Sequence, residues 1–514
     1  MDKMKISPDV LNGKGDKCLT ASEDGGSLSR DAVRKAVVAL AREFIGNGLG
    51  KKEVVAYALP NSIEHAVVFF ATAKAAAIAA PLNPAYKAAE FDFYLKDTSA
   101  KMLLLPPEGS PEGEKAGNGL GIQIFSVACD GMSVKLGSVS GGSDPVPPSV
   151  LQLPKPSPED VALFLHTSGT TSTPKGVPLL HRNLLTSTKN IVNTYELTAQ
   201  DTSYLVMPLF HVHGLMSALM AALAGGGDVV MPKAGKFSAQ VFWPDVKAHG
   251  ATWYTAVPTI HQILLAHADK SKDHEGVKLR FIRSCSASLA APVLERLEKT
   301  FGAPVLEAYA MTEAAHQMTS NPLPKHGAHK PGTVGKGTNV EIAILSPDGK
   351  QLPAGQVGEV CIKGQNVTPG YHNNPKANEE AFAHGWFHTG DQGMLDAEGY
   401  LTLTGRLKEL INRGGEKISP LEVDAALLAC EAVAEAVAFA APDEKYGEEV
   451  MAAIVLKPGA KAAEADVLAI AKQRLGDFKV PKRLFVSDSL PKTATGKIQR
   501  RFVAEHFLKP ASKL

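Results

Sequence analysis

The sequence predicts an α/β protein with a large, multi-lobed N-terminal part and a small α+β C-terminal part. Three observations carry this. Short apolar runs alternate with helical patterns through the first half, as in "EVVAYAL" followed by "NSIEHAVVFFATAKAAA", which suggests parallel strands with crossover helices. At 514 residues the chain exceeds what one hydrophobic core ordinarily organises. Beyond about residue 330 short strands are broken by Asp-Gly and Pro-Ala-Gly turns, as in "TNVEIAILSPDGKQLPAGQVGEVCIKG".

The elements follow in order. "SLSRDAVRKAVVALAREF" places Val33, Val37, Leu40 and Phe44 on one helical face, with Ser29 or Asp31 as the cap. "EVVAYAL" reads as a strand and the segment after it as a mostly buried helix. That apolar stretch is interrupted by Lys74 and ended by Pro81, so it falls short of the roughly 20 residues a membrane span needs. "KMLLLP" and "IQIFSV" read as further buried strands. "PPEGSPEGEKAGNGLG" and "GSVSGGSDPVPPSVLQLPKPSPED" read as surface loops, being rich in Pro, Gly and Ser without periodicity. "GYLTLTGRLKELINRGGEKISPLEVDAALLA" reads as strand, turn, helix. A boundary near Arg406 to Lys408 divides the chain into residues 1–405 and 406–514.

Composition excludes some functions. Lys and Arg number 54 against 53 Asp and Glu, and no basic stripe stands out. Nucleic acid and anionic membrane are therefore disfavoured as partners. The five cysteines (Cys18, Cys129, Cys285, Cys361, Cys430) are scattered without a CxxC, which indicates a reducing interior. Cys361 reads as a small core residue. The N-terminal stretch has no apolar signal core. Ser512-Lys513-Leu514 matches the receptor-read peroxisomal address. The expectation is a peroxisome, or a related microbody such as a glycosome, reached through the import receptor.

The chemistry centres on "LFLHTSGTTSTPKGVPL", Leu163 to Leu179, where an apolar run breaks into hydroxyls, glycines and one lysine. Thr167, Ser168, Thr170, Thr171, Ser172 and Thr173 offer hydroxyls. Gly169 and Gly176 let the backbone approach phosphate oxygens, and Lys175 supplies a counter-charge. This is not a Walker A loop, because Lys175 follows Pro174 and precedes Gly176. A plain solvent loop explains the hydroxyls poorly.

The segment "TSGTTSTPKG" resembles the phosphate loop of the acyl- and aryl-CoA synthetase superfamily, which also holds firefly luciferase and peptide-synthetase adenylation domains. Five more motifs resemble that family in order: "PLFHVHG" (Pro208 to Gly214), "YAMTE" (Tyr309 to Glu313), "GWFHTGD" (Gly385 to Asp391), "GRLKELINRGGEKISP" (Gly405 to Pro420) and "PKTATGKIQRR" (Pro491 to Arg501). The resemblance implies an adenylate-forming fold with a mobile C-terminal domain. It also implies two half-reactions: a carboxylate and ATP give acyl-adenylate and pyrophosphate, then coenzyme A displaces AMP. The loop from Thr167 to Lys175 would hold phosphates, Thr312 a phosphate oxygen and Glu313 Mg2+. Tyr309 would stack on adenine, with Ala287, Ser288, Glu307 and Ala308 around the nucleotide. Asp391 would accept the ribose hydroxyls beside Arg406, and Lys408 would be the hinge. Lys497 would bridge carboxylate and α-phosphate, its loss crippling adenylation and sparing thioester formation. His211 joins Lys497 and Thr312 as catalytic. Gly414, Gly415 and Glu416 would face coenzyme A. Without the other motifs, "YAMTE" reads as a turn with a core tyrosine, and Lys497 as part of a solvated basic tail with Lys492, Arg500 and Arg501.

The acyl pocket would lie between "PLFHVHG", "RSCSASLAAP" (Arg283 to Pro292) and "LEAYAMTEAAH". Ala308 and Ala310 flank the tyrosine where many relatives have glycine, and should shorten the pocket. Ser286, His211, His213 and His316 make it polar. A long fatty acid or cinnamate would leave these groups unpaired, whereas a short acid with a second polar end would satisfy them. The three segments closely resemble oxalate–CoA ligases of plants and fungi. Rivals are a medium-chain or 4-coumarate-type CoA ligase, a luciferase-like or carrier-loading enzyme, and a non-catalytic binding relative. His213 also reads as a backbone-bonded histidine, and Arg283 as half of a structural ion pair.

Overall fold

The computed structural model describes residues 10–11, 18–21, 26–130, 133–140 (backbone only at 138–140), 152–167, 174–493 and 496–508. The Ser168 to Thr173 part of the phosphate loop and the Ser512 to Leu514 tripeptide lie outside them. Ser29 caps the helix Arg30–Gly46, its hydroxyl accepting the Ala32 N–H at 3.2 Å. That helix buries Val33, Val37, Leu40 and Phe44. Ile63–Lys74 follows, capped by Ser62 and apolar nearly all round because it is sandwiched in the core. No helix among the described residues is long and apolar enough to cross a membrane.

The described strands form four sheets. A seven-stranded sheet runs Val134–Ser140, Gln123–Cys129, Ala100–Leu105, Val54–Tyr57, Ile78–Pro81, Val161–Thr167, Lys175–Leu180, parallel except at its two edges. A nine-stranded sheet has a parallel body that includes the neighbours Trp253–Ala256, Phe281–Cys285 and Val305–Met311, and two antiparallel strands, His316–Ser320 and Lys336–Gly337, on its far side. Two smaller sheets follow. One is antiparallel and runs Glu341–Leu345, Gly358–Lys363, Phe387–Leu395, Leu401–Arg406. The other is built on Ile411–Arg413, Glu416–Ile418, Val433–Asp443, Gly447–Leu456 and Arg483–Val486, and has its own apolar core centred on Ile418, Val423, Leu427 and Ile454. One sheet ends at Arg406 and the next begins at Ile411, with Lys408 exposed between them.

The two segments read as loops need correction. Pro111–Gly119 is a helix, started by the Ser110 hydroxyl, which accepts the Gly113 N–H at 3.2 Å, and by Pro111 in its first turn. Its glycines hid it, and one of them sits close to the sheet: a Cβ at Gly117 would meet Ile124 Cδ1 at 2.9 Å, so that side chain would have to shift. Val134–Ser140 is an edge strand, which takes in the start of the second loop. "INRGGEKI" is a hairpin rather than a plain turn, pairing Arg413 with Glu416 around Gly414 and Gly415, both at positive φ.

Candidate active site

In an open parallel sheet, ligands bind beyond the carboxyl ends of the strands. Ala256, Cys285 and Met311 are three such ends, side by side. Ser286 leads off one. Thr312 and Glu313 lead off another and begin a tight turn, Thr312–Ala314, that returns the chain into His316–Ser320. Three non-glycine residues here hold left-handed backbone: Ser286 (φ 74°), Ala315 (φ 48°) and His316 (φ 98°). Such conformations cost energy and cluster where function demands them.

The nucleotide side is assembled from four elements. Antiparallel pairing sets Asp391 opposite Arg406, and their side chains meet at 3.2 Å. The Tyr309 hydroxyl donates to the other Asp391 oxygen. Burial pushes the Asp391 carboxyl up, while Arg406 and Tyr309 hold it down. A carboxylate has lone pairs to spare, so two further O–H donors can still be accepted. Asp391 is braced from behind: Glu359 accepts the Gly390 N–H at 3.0 Å and meets His388 Nδ1 at 2.8 Å. Glu359, Cys361 and His388 are close enough together to share a metal ion. Burial nevertheless raises the Cys361 thiol to about 12, which suits a neutral core thiol.

On the phosphate side Thr167 and Lys175 are cross-strand partners at the mouth of the loop. The Lys175 ammonium lies 4.3 Å from the centre of the Tyr371 ring, and the Tyr371 hydroxyl donates to Glu313 Oε1 at 2.8 Å. Burial raises the Glu313 carboxyl, and it joins no ion pair among the described residues. A hard cation would satisfy such an oxygen donor. Tyr371, in "PGYHNNP", was not singled out from the sequence, and no spacing pattern marks it.

Glu307 sits two residues before Tyr309, buried, accepting the Gly332 N–H at 3.0 Å. Burial raises its carboxyl from 4.5 to about 8. Between those values the folded chain keeps a proton that the unfolded chain releases, so stability falls as pH rises through this window. Glu307→Gln removes that slope. Its melting temperature is expected to match the parent near pH 5 and to exceed it by about 2 to 5 °C at pH 8. Calorimetric scans at the two values check this.

Lys497 reaches this cleft from the small lobe. The Thr259 hydroxyl, just past the Trp253–Ala256 strand, donates to the Gly496 carbonyl at 3.0 Å and docks the turn. The Lys497 ammonium is pulled below the usual lysine value by withdrawal from water, with Arg406 acting in the same direction and Asp391 and Glu313 opposing. The surrounding tail is less solvated than its composition suggested. Arg500 pairs with Asp424 at 2.8 Å and Lys492 with Glu435 at 2.6 Å, because the helix Pro420–Leu428 and the strand Val433–Asp443 present acids to them.

The acyl side gathers several polar side chains. The turn that carries His211 is tight. A Cβ at Gly214 would fall 2.3 Å from the Pro208 carbonyl oxygen. The chain then enters a π-helical stretch, His213–Ala221, a form common at functional sites. His211 Nδ1 accepts the His213 backbone N–H at 3.1 Å, so a neutral His211 carries its proton on Nε2. Burial and the Lys497 charge lower its pKa to about 3. His213 bonds side chains, correcting the backbone-bonded reading: Nε2 meets Thr255 Oγ1 at 2.6 Å and Nδ1 meets Ser286 Oγ at 3.1 Å. The His316 ring stacks on His213 at 5.2 Å, fully buried, with neither ring nitrogen partnered. Arg283 joins no ion pair among the described residues. Its guanidinium donates to the Tyr195 hydroxyl, Thr255 Oγ1 and Gln317 Oε1 at 2.8, 3.1 and 3.1 Å.

Ala308 is buried, Ala310 half-buried, and both flank Tyr309, while Ala287 and Ser288 are exposed past Cys285. Among the described residues, no contact joins Gly414, Gly415 or Glu416 to this cleft. Gly414 bonds the Tyr446 carbonyl instead, and Glu416 is exposed.

Fold and site together define an adenylating α/β enzyme, with a nucleotide cleft between a large lobe and a small one. The chain belongs to the AMP-binding enzyme family: that family's model matches residues 10–372, and its C-terminal domain matches residues 422–497. An oxalate–CoA ligase of Arabidopsis thaliana is 55% identical over 462 residues, 90% of each chain. An oxalate–CoA ligase of Saccharomyces cerevisiae is 47% identical over 481 residues, 89% of this chain and 88% of that one. Among solved structures, ATP-bound MatB from Rhodopseudomonas palustris superposes with a TM-score of 0.87 at 28% identity, covering 98% of this chain and 99% of that one.

Proposed function

We propose that the protein is an AMP-forming acid–CoA ligase that joins oxalate to coenzyme A. The observation that carries the choice of acid is the polar cluster past the end of the Phe281–Cys285 strand. Ser286 bonds His213, His316 stacks on His213 with two unpartnered ring nitrogens, and Arg283 stands behind through Thr255. An apolar acyl chain would leave His316 and the Ser286 hydroxyl hydrogen unsatisfied, whereas the second carboxylate of a short diacid accepts from such donors. The oxalate–CoA ligases of A. thaliana and S. cerevisiae support the same reading.

The geometry supports the following course for the reaction. One oxalate carboxylate attacks the α-phosphorus of ATP, and the bond to pyrophosphate breaks. The Lys497 ammonium reduces repulsion between the two anions as they approach. Asp391, with Arg406 and Tyr309, orients the ribose, and Lys175 offsets phosphate charge. Glu313 and the phosphates would hold Mg2+, which supplies charge neutralisation at the leaving pyrophosphate. The thiol of coenzyme A then attacks the carbonyl carbon, expelling AMP. Rotation of the small lobe about Lys408 would withdraw Lys497 and bring Gly414, Gly415 and Glu416 to the thiol. Delivery to the peroxisome through Ser512, Lys513 and Leu514 is part of the same proposal and rests on the sequence alone.

Pyrophosphate release with ATP, Mg2+ and coenzyme A tests the choice of acid, using oxalate, malonate, acetate, octanoate and 4-coumarate in parallel. Oxalate is expected to give kcat/KM at least about 10-fold above every other acid. Turnover of octanoate or 4-coumarate without oxalate would leave adenylation standing and refute the polar-pocket reading.

A further inference from the structure

Arg283 is 0% exposed, in the middle of the strand Phe281–Cys285. A buried guanidinium without a counter-ion is costly, and this one pairs with no carboxylate among the described residues. Its neighbours are the Tyr195 and Thr255 hydroxyls, the Gln317 carbonyl oxygen and the Cys285 thiol. Register explains one of these: Thr255 and Arg283 are cross-strand partners in the parallel sheet.

The hydrogen bonds have a direction. Arg283 can only donate, so Thr255 Oγ1 accepts from it at 3.1 Å. The hydrogen of the Thr255 hydroxyl then has one described acceptor, His213 Nε2, at 2.6 Å. His213 is thereby left with its proton on Nδ1, which donates to Ser286 Oγ at 3.1 Å. The Ser286 hydroxyl hydrogen has no described acceptor and is free to donate to a ligand. By donating to one Thr255 Oγ1 lone pair, the Arg283 cation polarises that hydroxyl toward giving its hydrogen to His213. Without Arg283 this bias is lost and the chain can reverse. Thr255 would accept from His213 Nε2–H, Nδ1 would accept from Ser286, and the donor would be consumed internally. His316, stacked on His213 with both nitrogens unpartnered, independently marks the same place as awaiting a ligand.

We propose that Arg283 is a positioning residue for substrate choice: through Thr255 and His213 it fixes Ser286 as a donor to the distal carboxylate of the acid, and its uncompensated charge favours a dianion over a monoanion. This rests on the reading of the enzyme as an oxalate ligase, and extends it to a residue with no part in holding ATP.

The test compares oxalate with oxamate, which keeps one carboxylate and replaces the other by a neutral amide of similar size. The wild-type protein is expected to prefer oxalate. In Arg283→Met that preference should fall by about 10- to 100-fold, the range for losing one charge-assisted hydrogen bond. The loss should lie mainly in KM for oxalate, with oxamate turnover changed by less than about 3-fold. Thr255→Val should lower the preference in the same way, and Thr255→Ser, which keeps the hydroxyl, should restore it. If Arg283→Met does not fold, as judged by its thermal transition, the two Thr255 variants decide alone. Equal losses on both acids in folded Arg283→Met, or an unchanged preference in Thr255→Val, would overturn the proposal and leave Arg283 a structural residue. Wild-type protein inactive on oxalate would instead overturn the underlying reading, before any variant is compared.

Discussion

Lys497→Ala is expected to lower acyl-adenylate formation by about 100-fold or more, while thioester formation from a preformed oxalyl-adenylate changes by less than about 3-fold. The asymmetry has a physical cause. Two anions must come within bonding distance only in the first half-reaction, and Lys497 is the cation the small lobe delivers to that point through the Thr259–Gly496 contact. In the second half-reaction a neutral carbonyl meets a thiol, and no such repulsion arises. Isotope exchange between pyrophosphate and ATP reads the first step. Release of AMP from synthetic adenylate reads the second. Equal loss in both would mean that Lys497 serves the fold of the small lobe rather than one chemical step.

Asp391→Ala should fail differently. It removes the acceptor of the Tyr309 hydroxyl and the partner of Arg406, leaving a buried phenol and a cation unpaired where the ribose should sit. Charge-assisted hydrogen bonds of this kind contribute about 1.5 to 3 kcal/mol, so KM for ATP is expected to rise about 10- to 100-fold. KM for the acid should barely change. A rise confined to the acid would contradict the assignment of Asp391 to the nucleotide. Lys497 and Asp391 thus separate cleanly: one changes the rate of a step, the other the binding of a substrate.

Much of this site was legible in the sequence, and the reason is local. Tyr309, Thr312, Glu313, Asp391, Arg406 and Lys497 each sit in a short segment that resembles a motif of the adenylate-forming family, and that resemblance named them as candidates. Cross-strand partnership then brings Asp391 and Arg406 together without distant information. What was not legible depends on contacts between residues far apart in the chain. Arg283 suggested an ion pair because a buried arginine usually needs an acid. Only the parallel register against Thr255, and the approach of Tyr195 and Gln317, show neutral acceptors instead. Tyr371 is invisible for the same reason, since Glu313 lies 58 positions away. The fold shows a similar limit. The helix Ile63–Lys74 announced itself by length and apolarity, while Pro111–Gly119 hid behind its glycines, of which Gly117 lies close against Ile124. Propensity argued against that helix, and tertiary contact decided for it.

The Ser286, His213 and His316 cluster should select a short diacid. A competition experiment reads this selection: equimolar oxalate, malonate, octanoate and 4-coumarate offered together with limiting ATP and coenzyme A, and the thioesters resolved by mass. Oxalyl-CoA is expected as the dominant product. Octanoyl-CoA or coumaroyl-CoA as the dominant product would contradict it, and would mean that Ser286, His213, His316 and Arg283 hold one another rather than a substrate.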